Sequence, residues 1–155
     1  MDKRALVAAI RAEIAAEIAE MTRLAKDAAD AATHEENKPE NDKDMRSTEA
    51  SYLARGQAER VQQLEREHTL LGALDLRAFG ADEPIEAGAY VELVGGAQRT
   101  RCLLAPAGGG RKKDGVQIVT ATSPLGAALL GLSVGDEAEV PTPQGVRLLE
   151  VVKIA

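Results

Sequence analysis

Between Thr33 and Glu49 the chain gathers Glu35, Glu36, Glu40, Asp42, Asp44 and Glu49, offset only by Lys38, Lys43 and Arg46. Carboxylate oxygens suit hard cations such as Mg²⁺, which often take one or two protein ligands and keep their other positions for water. Acids carried on a stiff support can therefore complete a metal site half-built in another macromolecule and help orient its water. Asp42 with Asp44, or Glu40 with Asp42, can share such a cation from an irregular loop. Asp44 and Glu49 can do so only if Asp44 belongs to the loop, because a five-residue helical spacing turns side chains about 140° apart. The plainer alternative is a solvated loop, polar because it cannot be buried.

Other chemistry-bearing residues are sparse. Gly108-Gly109-Gly110-Arg111-Lys112-Lys113-Asp114-Gly115 invites comparison with a phosphate-binding loop. It lacks the Gly-Lys-Ser/Thr ending and precedes no helix, so a flexible hairpin loop with basic tips is expected. His34 and His68 lie on separate elements with no second ligand at metal spacing. The lone Cys102 excludes an internal disulfide and is expected as a buried, reduced thiol in a strand. Tyr52, Phe79 and Tyr90 are the only aromatic residues, too few for a base-stacking or ring-binding pocket.

The formal charge of −6 argues against free nucleic acid as a main partner. Residues 1–75 carry 11 basic and 16 acidic side chains, net −5, so the N-terminal half is the electrostatically distinctive one. No secretory leader is evident and no run is apolar enough to span a bilayer, so a cytoplasmic location without membrane contact is expected.

Two periodicities divide the chain. From Lys3 to about Ala32, Val7, Ile10, Ile14, Met21, Leu24, Ala28 and Ala31 recur at three-and-four spacing. Such a stripe describes a long helix of roughly 45 Å. A second helix is expected over about Ser47–Leu74, with Leu53, Gln57, Val61, Leu64, His68 and Leu71 on one face. Its stripe is weaker, and Gly56 costs about 1 kcal/mol relative to Ala. Pro39 and the neighbouring Asn and Asp residues break the helix, so the two rods fold back as an antiparallel hairpin that buries both stripes. After Phe79 the period becomes two, over 89–94, 100–104, 116–120, 137–140 and 146–154. The expected organisation is a coiled-coil hairpin at 1–78 with its tip at about 33–47, a linker at 79–87, and a small α+β domain at 88–155. Seams satisfied within the hairpin favour a monomer; a hairpin-mediated adaptor that self-associates is the alternative.

The most specific stretch is Ser123-Pro124-Leu125-Gly126-Ala127-Ala128-Leu129-Leu130-Gly131, followed by Val134-Gly135-Asp136-Glu137. Ser123 is a good N-cap, Pro124 suits the first helical position, and Gly131 can close the helix in a left-handed conformation. Leu125, Leu129 and Leu130 must then bury against something. Together with Pro143-Gln144-Gly145 and Glu49-Ala50-Ser51-Tyr52-Leu53-Ala54, this stretch resembles the Gre family of bacterial transcript cleavage factors. The resemblance implies a coiled-coil hairpin joined to an FKBP-like α+β domain. It further implies an accessory factor, not an enzyme, whose globular domain anchors on bacterial RNA polymerase at the mouth of its secondary channel. Ser123, Pro124, Leu125, Gly126, Gly131, Gly135 and Asp136 are the anchoring residues on this reading. The hairpin tip enters the channel, and its acids help bind a second Mg²⁺, shared with the polymerase, for hydrolysis at the 3′ end of backtracked RNA. Asp42 and Asp44 are the candidate ligands here, with Glu40 and Glu49 beside them. The tip departs from the family's Asp-x-x-Glu: aligned on Tyr52, those two acids fall on Met45 and Thr48. A non-cleaving channel occupant, like the inhibitory homologues, is therefore a second reading. A prolyl isomerase on the same fold is a third, opposed by the scarcity of aromatics.

Overall fold

The computed structural model describes the backbone of residues 1–35 and 43–155 and the side chains of 1–31 and 53–155. Two long helices open the chain, α1 over Lys3–Glu35 and α2 over Lys43–Gly72. Asp2 caps α1, its Oδ1 accepting from the Ala5 N–H at 3.0 Å and satisfying one of the free amides of the first turn. The chain divides into two compact units, one formed by Met1–Arg11 with Thr69–Ala155 and the other by Ala12–His68.

Within the unit Ala12–His68 the helices run antiparallel, with Glu17 facing Arg60 at 3.8 Å. Ile14 and Leu64 are fully buried in the seam. Farther along, the expected burial fails. Leu24 is 47% and Leu53 67% exposed, and Met21 and Val61 are half-buried. An open groove of about 630 Å³ lies between the helices there, bordered by Ala25, Ala28, Ala29, Ala54 and Ala58. The cause is compositional. Alanine offers little apolar area to remove from water, at roughly 25 cal/mol per Å², so this stretch supplies weak closure energy.

The other unit is built on one sheet. Its strands are β1 Tyr90–Gly95, β2 Gln98–Leu104, β3 Lys112–Lys113, β4 Val116–Val119, β5 Glu137–Thr142 and β6 Gly145–Ile154, with a short helix, α3, at Pro124–Leu129. Their spatial order is β3-β4-β2-β1-β6-β5. The β2–β4 pair is parallel, with Arg101 opposite Val116; the remaining pairs are antiparallel. A glycine-rich loop joining β2 to β4 as one hairpin is thus corrected. The hairpin is β3–β4, turned by Asp114 at φ 50° and Gly115 at φ 77°. Two successive left-handed residues are what a tight hairpin turn demands, and Asp-Gly supplies them.

The sheet's core contains Val91, Leu93, Cys102, Leu129, Ala138 and Val151. Phe79 and Ile85 belong to the same core, so the stretch expected as a linker is packed. Ile85 is fixed on both sides: its N–H donates to the Leu132 carbonyl at 2.8 Å, and its carbonyl accepts from the Gly131 N–H at 2.9 Å. The chain therefore combines an N-terminal helical hairpin with a small α+β unit, the expected fold class.

Candidate functional site

The acidic tip falls mostly outside the described residues. Glu40 and Asp42 lie within 36–42, and the side chains of Asp44 and Glu49 are likewise beyond what is described. The backbone does place the start of α2 at Lys43, so Asp44 is on the helix and not in the loop. The condition under which Asp44 and Glu49 could share a cation is therefore not met. Among the described residues, no group of three or more His, Cys, Asp or Glu is arranged to hold a metal ion.

The C-terminal candidates come together around α3. Ser123 Oγ accepts from the Gly126 N–H at 3.1 Å and donates to the Thr120 carbonyl at 2.8 Å, capping the helix while tying it to the end of β4. Pro124 occupies the first helical turn, where its missing N–H costs nothing. Gly126 is required by contact, since a Cβ there would overlap the Thr120 carbonyl. Gly131 is required by conformation, at φ 80°. The Gly135 N–H donates to the Val151 carbonyl at 2.8 Å, and the Asp136 carbonyl accepts from the Val151 N–H at 2.9 Å. Asp136 Oδ2 also accepts from the Ser133 N–H at 2.8 Å, closing the turn before β5.

One expectation fails on this helix. Leu129 is buried and Leu125 packs against the core, but Leu130 is 44% exposed. Leu125 and Leu129 are four apart and share a helix face; Leu130 is turned off it by about 100°. Beside the helix, Thr120, Ser123, Pro124, Leu125 and Val140 border an open cleft of about 480 Å³.

Burial pushes the Cys102 thiol up to about 12, as expected of an inert core cysteine. Desolvation and the neighbouring Glu92 raise the Tyr90 hydroxyl above its ordinary value; it donates to Glu92 Oε1 at 3.1 Å. Lys112 and Lys113 are strand residues, so the glycine-rich segment leads into a strand and not into the helix N-terminus that a phosphate cradle uses. Sequence reasoning overlooks Thr120, whose carbonyl organises both Ser123 and Gly126. No residue-type signal could find it, because the contact is made by main chain. It also overlooks Lys3 and Phe79, which meet at the root of α1.

Residues 82–155 match the profile of the family described as Transcription elongation factor, GreA/GreB, C-term. The Transcription elongation factor GreA of Syntrophus aciditrophicus (strain SB) is 37% identical over 98 residues, covering 61% of this chain and 58% of that protein. The GreA of Hyphomonas neptunium is 50% identical over 36 residues, or 23% of each chain. These matched stretches thus span less than two thirds of either relative. Among solved structures, the GreA factor homolog 1 (Gfh1) of Thermus thermophilus aligns over 94% of both chains at 23% identity, with a TM-score of 0.42. The GreA/GreB factor from Nitrosomonas europaea aligns over 59% of this chain and 78% of its own at 22% identity and a TM-score of 0.39. The capped helix, its glycines and the turn into β5 all lie inside the profile match, so the likeness to the C-terminal domain of GreA/GreB transcription elongation factors is carried by residues 82–155.

Proposed function

We propose that this protein binds bacterial RNA polymerase through its sheet unit and presents the acidic end of its helical hairpin in the polymerase's secondary channel. There it promotes hydrolysis of backtracked RNA. The observation that carries this reading is the match over 82–155, joined to two helices of 33 and 30 residues whose connection is strongly acidic. Asp42 and Asp44 are the residues that would hold a Mg²⁺ shared with the polymerase, and that ion would supply activation of a water. The chain's own contribution is delivery. The α3 turn is held rigid by Ser123, Gly126 and Asp136, as a docking surface must be, and the two long helices carry the carboxylates.

A second reading is favoured by one observation: Met45 and Thr48 stand where the family's two acids fall. Neither side chain offers a carboxylate. On this reading the protein occupies the channel without stimulating cleavage and alters initiation or pausing.

Stalled, backtracked complexes separate the two. Cleavage predicts Mg²⁺-dependent shortening of the RNA by wild-type protein and its loss in a D42N/D44N variant. Intact RNA, with competition against another secondary-channel binder preserved, selects the occupant. Absence of binding to polymerase at micromolar concentration would reject both.

A further inference from the structure

Lys3 opens α1 in a place where a cation is poorly suited, since the helix dipole is positive at its N-terminus. Its ammonium is nevertheless fully engaged. Nζ donates to the carbonyls of Arg77, Gly88 at 3.0 Å and Ala155 at 2.9 Å. An ammonium has three donors, so its hydrogen-bonding capacity is saturated by main-chain oxygens. The three carbonyls belong to three separate stretches: the segment after α2, the turn before β1, and the end of β6.

Each acceptor is itself held. The Ala155 N–H and carbonyl both pair with Tyr90, at 2.9 Å each, and the Gly88 N–H donates to the Leu104 carbonyl at 2.8 Å. Arg77 is anchored by Glu83 at 2.7 Å, and its N–H donates to Asp75 Oδ1 at 3.1 Å. The Phe79 ring collects both cations, with Arg77 3.9 Å and Lys3 5.0 Å from its centroid. Main-chain oxygens cannot swing away as a surface carboxylate can, so only the Lys3 side chain, and not a second flexible partner, has to be ordered. Leu6, Val7 and Ile10, which follow on the same helix, are buried within the same compact unit.

We propose that Lys3 is a positioning residue: its ammonium, seated on three fixed carbonyls, locks the first turns of α1 onto the sheet unit. Where this bears on the tip it rests on the function proposed above. α1 is unbroken from Lys3 to Glu35, so a loosened root removes the fixed starting point of the element that leads to the acids.

The test uses the full chain with nitroxide labels at Ala8→Cys and Ala127→Cys, both exposed positions of the same unit. The native Cys102 is fully buried and stays unlabelled. Pulsed electron-spin distance measurement should give a narrow distribution in wild type. Lys3→Met, which keeps the stem and removes the donors, should broaden it at least twofold; Lys3→Arg, which keeps charge and donors, should restore at least half of the lost sharpness. Lys3→Gln, with two donors, should fall between them and serves if the Met variant does not fold. An unchanged width in Lys3→Met or Lys3→Gln overturns the proposal. Equal broadening in the Met and Arg variants does so too, because stem packing would then be the cause. In polymerase assays Lys3→Met should keep affinity within threefold and lose at least tenfold of any tip-dependent effect. Wild-type protein that fails to bind polymerase would end the functional reading and leave the distance result standing.

Discussion

Gly126 and Ser123 both meet Thr120, but in ways that differ energetically. A methyl group on Gly126 would overlap a main-chain oxygen, which cannot rotate out of the way, so helix or strand must shift. Gly126→Ala should destabilise the fold by about 2–3 kcal/mol, the upper range for overpacking. Ser123→Ala removes only a cap and should cost about 1 kcal/mol. Urea titration of both variants checks the order, and a Gly126→Ala protein as stable as wild type would refute the close approach. Cys102 permits a prediction in pH. Burial raises its thiol from an ordinary 9.0 to about 12 in the folded protein. Between those values the unfolded chain has released the proton and the native one retains it, so the stability this thiol contributes is full below pH 9 and falls as pH rises towards 12. At about pH 8, below the ordinary thiol range, a thiol reagent should label Cys102 only as fast as the core opens. Prompt stoichiometric labelling would show the site to be accessible.

On the scale of elements, the hairpin is tight where branched and large aliphatic residues meet and open where alanines do. Leu64→Ala should therefore cost about 2–5 kcal/mol, as for other fully buried leucines, while Leu53→Ala should stay within about 0.5 kcal/mol. Equal losses at the two positions would mean that the groove closes in solution. The same contrast explains what is legible in the sequence. Periodicity locates α1, α2 and the main strands to within a few residues, because apolar spacing is what drives each to form. It cannot say that half of the stripe stays wet, since spacing records where apolar residues lie and not how much area they bury. The Asp114-Gly115 turn is a readable signal, masked by the longer glycine run before it. The parallel register of β2 and β4 is not readable, because it depends on which strand edge remains free once β1 and β2 have paired. Around α3 the cap, the proline and the terminal glycine are plain, while their common partner, the Thr120 carbonyl, carries no residue-type mark.

For the molecule as a whole, the two units hold unequal cores. Among the described side chains between Ala12 and His68, only Ile14 and Leu64 are buried apolar residues, whereas the sheet unit packs Val91, Leu93, Leu104, Leu129, Val151 and others together. Hydrophobic area sets most of the resistance to unfolding, so the helical unit should yield first even though α1 and α2 run unbroken through its boundary. Two probes report the units separately. Helical circular dichroism follows chiefly α1 and α2, and thiol labelling of Cys102 follows the opening of the sheet. In rising urea the helical signal should fall substantially before Cys102 becomes reactive, and the two curves should have different midpoints. Coincident curves would mean one cooperative structure, with the helical unit drawing its stability from the sheet. Separated curves would show a helical unit that frays and re-forms while the sheet unit stays folded.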